Sequence, residues 1–210
     1  MEWYKVIIAV LLSYVIGSFQ SSYWICKIFK HIDIREHGSG NPGATNVMRV
    51  CGVKFGMLVL FLDALKGAIC VLLVRYGFGC GNVAIQLLAG LACIMGHNYP
   101  FYMGFKGGKG VASTLGIILA INWKVFLFAG VPALIVLLVG RIMSPASLTF
   151  GALLFVGFLI FNLSSGNLIW ILLVAAVYPA MMFYRHKDNI KRLIRKEEKP
   201  LWEWKKKSKE

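Results

Sequence analysis

The sequence predicts an all-α integral membrane protein of seven transmembrane helices, with its amino terminus outside and its carboxyl terminus in the cytoplasm. Three observations lead there. Of the 210 residues, 58% are hydrophobic, and the mean hydropathy is +0.69, too apolar for a soluble domain of this length. The apolar residues fall in long runs separated by short polar connections, which leaves little chain outside a bilayer. The formal charge of +14 is carried by the connections and the tail, so it records topology and lipid contact. One helical bundle over 1–184 is expected, with polar cytoplasmic loops near 36–50 and 97–110, followed by a basic cytoplasmic segment over 185–210.

The first apolar run, Trp3 to Ile25, lacks a basic n-region and a small-residue cleavage site, so it reads as a retained helix. It ends in Lys27, Lys30 and a long polar stretch. The second, from about Cys51 to Val74, carries Asp63 and Lys66 three apart on one face, placed to pair or to point into a polar cavity. The third runs from about Asn82 to Met95. Val111 to Ile121 is too short to cross a core about 30 Å thick at about 1.5 Å per residue, unless the preceding loop dips into the bundle. Val125 to Gly140, Leu148 to Phe161 and Leu168 to Tyr184 complete the set. An odd number of crossings puts the termini on opposite sides. The basic tail then places Lys27, Lys30, Arg35, Arg49, Lys106, Lys109 and Arg141 inside, while the nearly uncharged loops around Phe78 and Ser165 fall outside. Cys26, Cys51, Cys70, Cys80 and Cys93 show no CxxC spacing and read as free thiols or small apolar side chains.

Three polar stretches share the cytoplasmic face. In HNYPFYMGFKGGKG, His97 to Gly110, the glycines Gly104, Gly107, Gly108 and Gly110 let successive amides turn toward one point, a nest for an anion. Lys106 and Lys109 add charge, and the helix starting near Val111 aims the positive end of its dipole there. The stretch is not a Walker A loop: Met103 stands where the first glycine belongs, and Gly110 follows Lys109 in place of Ser or Thr. By itself it also suits a basic, flexible loop at a membrane surface. GSGNPGATN, Gly38 to Asn46, combines small residues that admit a ligand to the backbone with the hydroxyls of Ser39 and Thr45, and Arg49 supplies a bidentate fork. RHKDNIKR closes the last helix; if the helix continues through it, Arg185, Asn189 and Arg192 share a face and His186 adjoins Asn189. Taken alone, that cluster suits anionic headgroups equally well.

Other chemistries find no support. There is no aromatic-basic recognition module, so nucleic acid is rejected as a partner. The histidines lack metal-ligand spacing, so no metal is expected, and no GxSxG elbow suggests a covalent intermediate. No cofactor is implied.

The combination GSGNPGATNVMR, LDALKG, GHNYPFYMGFKGGKGVASTLG and RHKDNIKRL closely resembles the PlsY-type family, the bacterial membrane acyl-phosphate:glycerol-3-phosphate acyltransferases, over almost the whole chain. The resemblance implies transfer of a fatty acyl group from acyl phosphate to the 1-hydroxyl of sn-glycerol 3-phosphate, giving lysophosphatidic acid and phosphate at the bacterial plasma (inner) membrane. It implies a site of Ser39, Asn41 and Arg49, then Gly104, Lys106, Gly107, Gly108, Lys109 and Gly110, then His186 and Asn189. The serine-bearing segment RIMSPAS adds Ser144 and Ser147. Lys196 stands where the family's last motif has glycine, two residues before Glu198. Each histidine is followed five positions later by a residue other than Asp (Glu36, Pro42, Tyr102, Lys191), so the His-x4-Asp pair of the common glycerolipid acyltransferases is absent and transfer would be direct.

Two other classes compete. A membrane transporter of phosphate or a phosphorylated metabolite would also use broken helices and glycine loops, but it predicts an inverted repeat and a midplane site, and no such repeat is evident. A structural or lipid-binding membrane protein would explain the basic tail and leave the glycine loops without purpose.

Overall fold

The computed structural model describes residues 2–201; the end of the expected basic segment, 202–210, lies outside the described residues. Among the described residues every regular element is helical. The expected first helix is two: α1 (Trp3–Ser18) and α2 (Ser21–Lys30), separated at Phe19 and Gln20. The break has a visible cause. Phe19 is extended, and its carbonyl accepts from Lys66 Nζ at 2.6 Å, satisfying an oxygen that could otherwise have continued the helix.

A short helix α3 (Ala44–Cys51) stands apart from α4 (Val53–Leu72), because Gly52 between them has φ 97°. The second apolar run therefore starts two residues later than expected and ends in a π turn over Leu73–Gly77. Asn82 caps α5 (Val83–Asn98), accepting from the amides of Ala84 and Ile85. Then come α6 (Val111–Ile121), α7 (Trp123–Gly140), α8 (Met143–Phe161), α9 (Leu168–Arg185) and α10 (Lys187–Ile194). Asn122 ends α6 and caps α7, so that turn is a single residue.

Among the described residues, five helical stretches are long and apolar enough to cross a membrane: Trp3–Lys30, Val53–Gly77, Trp123–Gly140, Met143–Phe161 and Leu168–Arg185. With 16 residues α5 is shorter, and α6 has only 11. A helix that stops inside the bundle needs its last carbonyls satisfied. Arg75 does this, donating to Ile121 O at 3.2 Å while holding Gln86 Oε1 at 2.8 Å.

α5 is the central element, packed against α1, α4, α6 and α9. Leu87, Ile117, Phe150, Leu154, Phe158 and Tyr178 form the buried core, and the Tyr178 hydroxyl donates to Leu87 O at 2.7 Å. The outward faces carry exposed Leu138, Val139, Ile169 and Trp170, as suits contact with hydrocarbon. Small residues bring helices together without a hydrophobic drive between them: a Cβ at Gly116 of α6 would collide with Ala64 O of α4.

Gly116→Val should therefore lower thermal stability in detergent by about 1–3 kcal/mol or more. Gly130→Val, at a position of α7 with nothing within 4 Å, should leave it nearly unchanged.

Candidate active site

The first polar loop is organised by Asn46, a side chain only 2% exposed. Its Oδ1 accepts from the Ser39 amide at 2.9 Å, and its Nδ2 donates to His37 O at 2.9 Å and Ile34 O at 3.3 Å. One amide thus ties both ends of the loop, which leaves Ser39 exposed at its tip and Arg49 just along α3.

The glycine loop differs from expectation. The amides of Gly107 and Gly108 do not face a ligand; they donate to Asn98 O at 3.0 Å and His97 O at 3.1 Å. The physical reason lies at the end of α5, whose last carbonyls need donors; the loop folds back to supply them. Glycine is required by closeness, since a Cβ at Gly107 would overlap His97 O and one at Gly108 would overlap His97 Nε2. Arg185 grips the outer side, donating through Nη2 to Gly107 O at 2.9 Å and Gly108 O at 2.7 Å, with its guanidinium 5.1 Å from the Tyr99 ring centre. Thr114 is the first amide of α6 to reach a carbonyl, Gly110 O. Among the described residues the amides just before it find no acceptor, so they and the dipole of α6 point to the side where Lys109 lies.

At the third stretch the helix does not run through. It breaks at His186 (φ −100°, ψ 9°) between α9 and α10. His186 Nδ1–H donates to Met182 O at 2.8 Å, which puts the lone pair on Nε2, where it meets no donor among the described residues. Asn189 Oδ1 accepts from Lys109 Nζ, and its Nδ2 donates to Ser144 Oγ at 2.9 Å and Glu198 Oε1 at 2.6 Å. Glu198 also accepts from Ser144 Oγ at 2.6 Å and Arg192 Nε at 2.6 Å. Lys196, where the resemblance implies a glycine, has φ 58°, so a left-handed turn forms there without glycine and carries Glu198 back over the site. Arg49 Nη2 donates to Lys199 O at 2.9 Å and Pro200 O at 3.2 Å. Ser147 Oγ donates to Met143 O at 3.0 Å in the first turn of α8.

A cleft of about 940 Å³ collects these groups. Ser39, Asn41, Arg49, Lys106, Gly107, Lys109, Gly110, Ser144, Ser147, His186 and Asn189 all line it; Gly104 lies away from it, exposed, and Gly108 is buried against His97. The sequence does not show Asn46 as a loop clamp, Arg185 as a clasp on the glycine loop, or Arg192 and Glu198 as one frame with Ser144 and Asn189. The spacing in RHKDNIKR was the available signal, but it could not show what those side chains would meet. Among the described residues no group of three or more His, Cys, Asp or Glu converges.

The electrostatics follow from burial. The loss of water, reinforced by Lys109, pushes the His186 imidazole down to about 4, so it is neutral at pH 7. Burial also pushes Lys109 down to about 8, against the pull of Glu198. Burial opposes ionisation of Glu198, but hydrogen bonds from Ser144, Asn189 and Arg192 prevail and hold its carboxyl below the usual value. The arrangement offers several cationic groups for anions and one neutral imidazole lone pair beside them.

The family model for glycerol-3-phosphate acyltransferase matches residues 7–196. A glycerol-3-phosphate acyltransferase of Aquifex aeolicus is 41% identical over 90% of this chain and 96% of its own. One from Listeria monocytogenes is 43% identical over 95% of this chain and 98% of its own. Crystal structures of the integral membrane glycerol 3-phosphate acyltransferase PlsY (YgiH) are similar throughout. Its glycerol 3-phosphate form aligns with TM-score 0.83 at 40% identity, and its lysophosphatidic acid form with 0.81 at 39%; each alignment covers 93% of this chain and 95% of the other.

Because Lys109 loses its proton as pH rises through about 8 in the free protein, binding of inorganic phosphate should weaken above that pH, approaching about tenfold per pH unit. Lys109→Met should flatten this dependence when affinity is titrated calorimetrically against pH.

Proposed function

Since the chain belongs to the glycerol-3-phosphate acyltransferase family, we propose that it transfers a fatty acyl group from an acyl phosphate directly to the 1-hydroxyl of sn-glycerol 3-phosphate. The products are lysophosphatidic acid and phosphate, the first step of phospholipid synthesis at a bacterial inner membrane. One observation carries this reading: three polar stretches far apart in the chain line a single cationic cleft, and two phosphorylated reactants need such a meeting place.

Arg49, Lys106, Lys109 and the open amides at the start of α6 hold phosphate oxygens, with Asn41 and Gly110 at the wall and Gly104, Gly107 and Gly108 shaping the loop. Ser39 orients the acyl phosphate. Ser144 and Ser147 line the side of the cleft formed by α8. In the reaction the hydroxyl oxygen bonds to the acyl carbon, and the bond from that carbon to the phosphate oxygen breaks, with the electron pair leaving on phosphate. His186 Nε2 accepts a hydrogen bond from the attacking hydroxyl, and Asn189 is braced beside it. An imidazole with a pKa near 4 aligns a hydroxyl well but holds a proton poorly at pH 7. A phosphate, whose second pKa is about 6 in an ester, is the better final acceptor. The mixed anhydride is already activated, so proximity and charge stabilisation supply the catalysis.

The proposed topology is seven crossings, with α1 and α2 forming the first and α5 and α6 the two shortest, the amino terminus outside and the tail from residue 185 cytoplasmic. The bundle over 1–184 then forms one domain whose cleft opens to the cytoplasm. Membrane lipid surrounds it and takes up the product. Family membership removes the main support for the transport reading.

Purified protein in detergent, given acyl phosphate and glycerol 3-phosphate, should release lysophosphatidic acid. Arg49→Ala and Lys106→Ala should each lower kcat/KM by about a hundredfold with little change in melting temperature. Unaltered kinetics would remove those residues from the site, and a carboxyl-terminal reporter found outside the cell would overturn the topology.

A further inference from the structure

The reaction as drawn makes no use of a buried polar cluster behind the glycine loop. Lys66 is 5% exposed, Asp63 1% and His97 3%. The Lys66 ammonium reaches three acceptors: Phe19 O at 2.6 Å, Asp63 Oδ1 at 2.8 Å and His97 Nδ1 at 2.9 Å. An ammonium has hydrogens to give and no lone pair, so Nδ1 of His97 is the acceptor, and the ring hydrogen sits on Nε2.

That hydrogen has no acceptor among the described residues, yet His97 lines the same cleft as Lys106 and Lys109. Gly108 packs against this ring edge and, lacking a Cβ, leaves Nε2 its place: a Cβ there would collide with it. A histidine that served packing alone would be expected to spend its second nitrogen on a carbonyl or carboxylate of its own protein, because a buried donor left idle is destabilising.

We propose that His97 is a further substrate-contacting residue, whose Nε2–H donates to an anionic oxygen of the phosphorylated reactant, with Lys66 as the positioning residue that fixes its tautomer. The inference rests on the reading of the cleft as a site for phosphorylated reactants. A neutral imidazole suits the task, since it stabilises negative charge without having to surrender a proton, and the adjacent ammonium polarises its N–H. Ser21 Oγ, which donates to Asp63 Oδ1 at 3.0 Å, and Gln20 Nε2, which donates to His97 O at 2.8 Å, hold the cluster from α2 and from the break before it.

The test separates the two ring nitrogens. In His97→Asn the side-chain oxygen can take the place of Nδ1 and keep Lys66 satisfied, while the donor at Nε2 is lost. The variant should stay folded, by gel filtration and by a melting temperature within a few degrees of wild type, and lose about tenfold or more in kcat/KM for glycerol 3-phosphate. Wild-type kinetics in this variant would overturn the proposal. Should the variant fail to fold, nitrogen-15 NMR of the histidine-labelled wild-type protein decides. It should show a neutral ring with its hydrogen on Nε2, whose resonance moves when glycerol 3-phosphate is added; a hydrogen on Nδ1, or a resonance indifferent to saturating glycerol 3-phosphate, refutes it. A wild-type protein that binds glycerol 3-phosphate and makes no lysophosphatidic acid counts against the acyltransfer reading instead, and the NMR measurement still decides His97.

Discussion

A lysine ammonium buried among apolar helices must place all its hydrogens, and much of this structure follows from where Lys66 places them. One goes to Phe19 O, which divides the first apolar run into α1 and α2. Another goes to Asp63, three residues earlier on the same helix, at 2.8 Å. The third goes to His97 near the end of α5. In a medium without water an unmet charge of this kind is prohibitive. The cluster therefore binds the first segment, α4 and the root of the glycine loop into one unit, and the loop's geometry depends on that anchorage.

The glycine loop shows how a motif can be right in its residues and different in its use. Glycines suggest amides free to gather an anion, and here the amides of Gly107 and Gly108 are committed to the carbonyls of α5. Their lack of side chains admits His97 and the backbone at close range. Arg185 then clasps the same two residues by their carbonyls. Charge for a ligand comes instead from Lys106, Lys109 and the start of α6.

The carboxyl-terminal segment completes the cleft from the far end of the chain. Glu198 joins Ser144, Asn189 and Arg192 in one hydrogen-bonded frame, and the carbonyls of Lys199 and Pro200 accept from one nitrogen, Nη2, of the Arg49 guanidinium. Lys196 takes a left-handed conformation at the turn that returns Glu198 to this frame. The residues that brace Asn189 thus come from the glycine loop, α8 and the tail, through Lys109, Ser144 and Glu198, which no local spacing could reveal.

Hydropathy and charge alone determined that the chain is a helical membrane protein, roughly where its apolar helices lie, and that its polar chemistry gathers in three stretches. Those properties are local: a run of apolar side chains or a basic, glycine-rich connection is visible wherever it occurs. The shortness of α6 and the proximity of Asp63 to Lys66 were legible for the same reason, one from residue count and one from helical spacing. Only the tertiary structure decided that α1 and α2 are separate, that Asn46 clamps its loop, that the glycine amides turn away from the cleft and that Glu198 reaches Asn189. Each of these depends on a hydrogen-bond partner remote in sequence or on a backbone turn that brings one back. Composition states which donors and acceptors exist, and packing chooses which of them meet.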